Sequence, residues 1–161
     1  MVLHIIYERY YDFKEKRVVS GGIQTYITNL LPLFIKAGYQ CVLFQAGHTH
    51  EKVLVNNCRV FNVKVNFKKS WSHISKQLVK ESGKTFKSQE DVLLFATDTF
   101  IVSNKAQRSL AIQHGICWDI PIHENFPPWL NALFVFRKIK NTYKIVANLT
   151  KVKRVVCVDF N

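Results

Sequence analysis

The sequence predicts a doubly wound α/β domain built on an open, mostly parallel sheet. Three observations predict it. First, Val2-Leu3-His4-Ile5-Ile6-Tyr7 reads as a buried strand, and a Gly21-Gly22 pair then opens a helical pattern that closes at Gly38 before the apolar run Tyr39–Phe44. Second, strand-like and helix-like segments keep alternating to the end of the chain, as they do when crossover helices cover both faces of a sheet. Third, no internal repeat or low-complexity linker interrupts the 161 residues, a length that suits one domain able to bury about 70% of its unfolded surface.

Strands are expected at 2–7, 39–44, 58–65, 91–96, 109–113 and 154–158, and helices at 22–37, 70–82, 99–107 and 129–148. The first helix carries Ile23, Tyr26, Ile27, Leu30, Leu31, Phe34 and Ile35 at the i, i+3, i+4, i+7 spacing of one apolar face. Pro32 lies inside it and removes one backbone donor, which predicts a kink at Thr28 rather than a break. Gly83 is the expected stop of the second helix.

Composition bounds the chemistry. The chain is 48% hydrophobic and 13% aromatic, as a packed globular protein is. Cys41, Cys58, Cys117 and Cys157 lie far apart with no C-x-x-C pair, which reads as reduced, mostly buried thiols and argues against zinc. With a core-type strand at the very start and no apolar run near 18 residues, a cytoplasmic protein is expected. The formal charge of +12 is concentrated late: Arg137, Lys138, Lys140, Lys144, Lys151, Lys153 and Arg154 occur with no acid between Glu124 and Asp159. A solvated face, an anionic membrane surface and nucleic acid all fit a basic run. Nucleic acid is disfavoured, because no basic-aromatic RNA-binding pattern, zinc-finger spacing or helix-turn-helix turn accompanies the charge.

In doubly wound sheets, ligands gather beyond the carboxyl ends of the strands, here residues 8–22, 45–57, 97–99 and 114–128. Glycines at a helix start let an anion approach the backbone, where free N–H groups and the helix dipole hold it, so Gly21 and Gly22 point to a phosphate. The spacing is not the G-x-G-x-x-G of dinucleotide binding. Asp98, after the strand at 91–96, and Asp119, five residues beyond His114, are carboxylates that would orient a hydroxyl or assist its deprotonation. Capping roles are open to both, Asp98 at a following helix and Asp119 at the turn before Pro121.

Residues 21–44 resemble the pattern G-G-x-x-x-x-[apolar]-x-x-L-x-x-x-L-x-x-x-G-[HY]-x-V found in the amino-terminal half of retaining GT-B glycosyltransferases (glycosyltransferase family 4-like). Two further stretches are similar to that family: Ser109–Gln113 followed by His114-Gly115, and the basic residue before Val155-Val156-Cys157-Val158. The resemblance implies a Rossmann-like sheet forming one half of a GT-B fold, with residues 1–161 as the acceptor-side domain. The donor-binding domain, with its Glu-x7-Glu stretch, would lie outside this chain. It implies an enzyme that moves a sugar from a nucleotide-diphosphate donor to a glycan or lipid-linked acceptor, with no metal or other cofactor, inactive as the isolated half. Gly21 and Gly22 would meet the diphosphate and His114 the donor sugar. Tyr10, Tyr11 and Arg17, in the loop after the first strand, would touch the acceptor. Outside the enzyme class, a phosphate-binding or partner-binding α/β module remains the alternative. A receiver domain would need acids grouped after its first strand, and a flavodoxin a phosphate loop directly there, whereas 13 mostly charged or aromatic residues, 8–20, intervene.

Overall fold

The computed structural model describes residues 1–87, 89–114 and 126–158. Its elements run β1 (Val2–Ile6), β2 (Tyr11–Asp12), β3 (Arg17–Val18), α1 (Gly22–Lys36), β4 (Gln40–Gly47), β5 (Glu51–Val55), β6 (Cys58–Lys64), α2 (Trp71–Gly83), β7 (Val92–Phe95), a 3-10 turn (Asp98–Phe100), β8 (Arg108–His114), α3 (Pro128–Leu149) and β9 (Arg154–Val158). Seven strands form one sheet in the order β5-β6-β4-β1-β7-β8-β9, all parallel except β5. Counting only the parallel strands along the chain, the order is 3-2-1-4-5-6, that of the doubly wound dinucleotide-binding sheet. The direction of winding reverses beside β1: α1 leads outward to β4, and α2 brings the chain back to β7 on the other side.

The core has two layers. Ile27 and Leu31 of α1 pack with Leu3, Ile5, Leu43, Val60 and Leu94 on one face; Ile23, Tyr26, Leu30, Phe34 and Ile35 join them partly buried, so the whole apolar face expected for this helix is used. Ile74 and Leu78 of α2 cover Ile6, Val42, Phe44, Leu93 and Phe95 on the other. β1 and β7 are buried at every position, because strands covered on both faces cannot alternate with polar residues. Helix α1 passes unbroken through Pro32. It ends in a Schellman turn: Gly38 at φ 87° donates to Ile35 O (2.9 Å) and Tyr39 N to Phe34 O (3.0 Å), with the Phe34 and Tyr39 rings edge to face. Ser70 caps α2 by accepting from His73 N.

Three elements depart from the sequence expectation. β5 pairs antiparallel along the edge of β6 through a two-residue turn, Asn56 (φ 50°) and Asn57 (φ 58°), which replaces a crossover helix between β4 and β6. The segment 8–20 contains the β2–β3 hairpin, turning at Lys16 (φ 53°). The helix expected at 99–107 is a correction: only Asp98–Phe100 coils, after which Ile101 and Val102 run into the α2-side core. Asn104 Oδ1 then accepts from Ala106 N (3.1 Å), a local bond that competes with helix formation.

Candidate functional site

The loop leaving β1 is held by one side chain. Gln45, buried near the end of β4, accepts at Oε1 from the backbone N–H groups of Tyr10 (2.9 Å) and Tyr11 (2.8 Å). Its Nε2 donates to Tyr11 O (2.7 Å) and Asn62 Oδ1 (3.2 Å). Asn62 in turn donates to Thr49 O (3.2 Å). A carboxamide matches this task, since it donates and accepts at one place and satisfies backbone groups that no sheet partner reaches. Gly47 is required alongside, because a Cβ there would collide with the Asn62 carboxamide.

Beyond these amides, past the carboxyl ends of β1, β4 and β6, lies a cleft of about 710 Å³. Its walls include Arg9, Tyr11, Asp12, His48, Phe67 and Trp71. Asp12 is ion-paired with Arg9 and accepts from the backbone N–H groups of Lys14 (2.9 Å) and Glu15 (3.0 Å). The Glu15 N–H above all, together with the Arg9 and Lys14 bonds, holds its carboxyl below the usual range, so it is an anion at neutral pH.

Helix α1 starts against the same loop, with Gln24 Nε2 donating to Arg9 O (3.0 Å). No side chain caps the helix and its first turn carries no acid, so its leading N–H groups have no intrahelical acceptor. The two glycines differ. A Cβ on Gly21 would run into the Gln24 carboxamide, whereas one on Gly22 would meet nothing within 4 Å. The Cβ position of Gly22 therefore faces open space at the helix start.

The other expected site residues are dispersed. Tyr10, expected on an open loop, is fully buried in the α1-side core, its hydroxyl 3.0 Å from Thr28 Oγ1 and accepting from Asn56 Nδ2 (3.4 Å). It supports the loop from beneath, and Tyr11 is the tyrosine on the cleft wall. Arg17 projects from β3 into solvent and pairs with Glu15, away from the cleft lining. Asp98 opens the 3-10 turn after β7, beside the exit of β1, where Ala96 N donates to Ile6 O (3.1 Å). His114 closes β8 with its backbone in register with Val158, and its side chain lies outside the described residues, as does Asp119. Gln45, Asn62 and Trp71 were not singled out by sequence: two amides at strand ends and one tryptophan at a helix start form no spacing pattern.

The fold and site together define an α/β protein with a mostly parallel seven-stranded sheet and a cleft beside the point where its winding reverses. Comparison with protein-family models, with curated proteins and with solved structures yields no match.

Proposed function

We propose that this chain is the acceptor-side domain of a retaining, GT-B-type glycosyltransferase that uses a nucleotide-diphosphate sugar. The observation that carries the reading is the open helix start at Gly22, which is tied through the Gln24–Arg9 bond to the loop whose Arg9, Tyr11 and Asp12 line a cleft of aromatic and polar side chains. The anion-binding end of α1 suits a diphosphate, and a sugar ring suits the cleft, with Trp71 and Phe67 for its apolar face and Asp12, Arg9 and His48 for its hydroxyls. In the reaction, the bond from the anomeric carbon to the diphosphate breaks, the nucleoside diphosphate leaves, and an acceptor oxygen takes the anomeric carbon as it loses its proton. Helix N–H groups offset the charge that grows on the departing diphosphate. Asp98, Asp119 and His114 are the proposed groups near the transferred sugar. A donor-binding domain completes the site, so this half alone binds without turning over.

Gly22→Val tests the reading. A Cβ at Gly22 meets nothing within 4 Å, so the thermal midpoint should stay within about 3 °C. Release of nucleoside diphosphate from the donor by the two-domain enzyme should fall at least tenfold. Unchanged release would remove the phosphate role from this helix.

A further inference from the structure

Helix α3 buries no residue completely. Asn131, Val135, Thr142, Ile145 and Leu149 are half-buried on one side of it, and Leu149 packs on the α2-side core. Phe134 is exposed and stacks on Phe126 on another side of the helix. The remaining large exposed apolar residues are Trp129 (68%), Leu133, Phe136 (68%), Ile139, Tyr143 (74%) and Val146. At 100° per residue they occupy one stripe about 140° wide, turned away from the half-buried side. Arg137, Lys140 and Lys144 lie within or along one edge of it, all exposed. No acid occurs from residue 125 to residue 158.

We infer that α3 is a docking helix for an anionic lipid surface, lying flat with Trp129, Phe136 and Tyr143 in the head-group region. An aromatic stripe edged by cations is the pattern of helices that lie in a membrane interface. The charges decide between occupants. A second copy seated on the same stripe would set its Arg137, Lys140 and Lys144 against these three in a desolvated contact, and like charges oppose that. A protein partner would bury lysines where interface cores are depleted of them. Anionic head groups neutralise the cations while the acyl boundary takes the rings. Among the described residues no helix is long and apolar enough to cross a membrane, so the contact is peripheral. The inference stands apart from the cleft and from the glycosyltransferase reading.

Co-sedimentation of the 161-residue chain with phosphatidylcholine vesicles, with and without 30% phosphatidylglycerol, tests it. Binding should require the anionic lipid and weaken at least tenfold between 50 and 500 mM salt. Arg137→Gln/Lys140→Gln/Lys144→Gln should weaken it about 100-fold, given roughly fivefold per cation. Trp129→Ser/Phe136→Ser/Tyr143→Ser should abolish it with an unchanged circular dichroism spectrum. Tryptophan emission should shift blue on binding, and Trp129→Phe should remove most of the shift. Equal binding to neutral vesicles, no binding, or binding unaffected by both triple variants would overturn the inference. So would concentration-dependent dimerisation that shields Trp129 from a soluble quencher.

Discussion

The inner four parallel strands and the outer edge of the sheet are built on opposite terms. β6, β4, β1 and β7 lie between α1 and α2, and the fully buried side chains of β1 and β7 are shared between two core layers. At the outer edge, β9 leaves Val155 and Val156 exposed and α3 turns its aromatic residues outward. Both helices were expected from the sequence, α1 on its apolar periodicity, and only α1 uses its apolar stripe for folding. Periodicity therefore reports that a helix has an apolar stripe, and burial reports whether the domain covers it.

Paired truncations put that difference to the test with the largest expected effect. Leu31→Ala, at a site with no exposure, should lower unfolding free energy by about 3 kcal/mol. Phe136→Ala should change it by no more than about 0.5 kcal/mol. Urea unfolding measures both, and equal losses would erase the distinction between the regions.

The inner region also carries a pH dependence. His4 is fully buried between the Phe44 and Phe86 rings, with its Nε2 4.0 Å from Asp91, and neither ring nitrogen has a hydrogen-bond partner. Burial pushes its pKa down to about 4, against the attraction of Asp91 and with a smaller push from Arg59. The neutral ring is the folded form, so the unfolded chain binds the extra proton between pH 6.5 and 4. Stability is intact above pH 6.5 and falls as the pH drops through that window, with a slope approaching 1.4 kcal/mol per pH unit from this group. His4→Phe should flatten the slope of chemical unfolding midpoints over the same range. An unchanged slope would place the proton uptake elsewhere.

A smaller effect is expected at the cleft. Gln45→Ala removes four hydrogen bonds and leaves the amides of Tyr10 and Tyr11 unpaired, a loss of about 2 kcal/mol. Hydrogen exchange at those two amides should accelerate well before that of β1. Exchange that stays as slow as in the parent would show that the β2–β3 hairpin holds the loop without Gln45.

The fold was legible where local chemistry and tertiary demand coincide. Gly21-Gly22, the apolar face from Ile23 to Ile35 and Gly38 specify α1 with its start and stop. They coincide less at Asn56-Asn57, a turn signal that reveals β5 only if two consecutive positive-φ asparagines are read as a hairpin. At Ile101 and Val102 the apolar residues serve a buried extended segment, and periodicity over so short a run does not separate that from a helix. Of the residues singled out in sequence, Tyr11 lines the cleft, whereas Gly21 and Gly22 lie outside its lining. The candidate site was not legible in Gln45 and Asn62, whose partners are backbone groups 13 to 35 residues away. Tyr10 and Tyr11 are adjacent in sequence and both join the α1-side core, and only the hairpin's geometry brings Tyr11 to the cleft wall as well.

The proposed role of the open α1 start is to receive the diphosphate of a sugar donor. Amide NMR of the 161-residue chain during titration with nucleotide-diphosphate sugars tests it most directly. Saturable shifts are expected at Gly22, Ile23 and Gln24, with smaller ones at Tyr11 and Trp71, and all should be lost in Gly22→Val. Shifts confined to the basic surface of α3, or none at the α1 start at millimolar donor, would contradict that role.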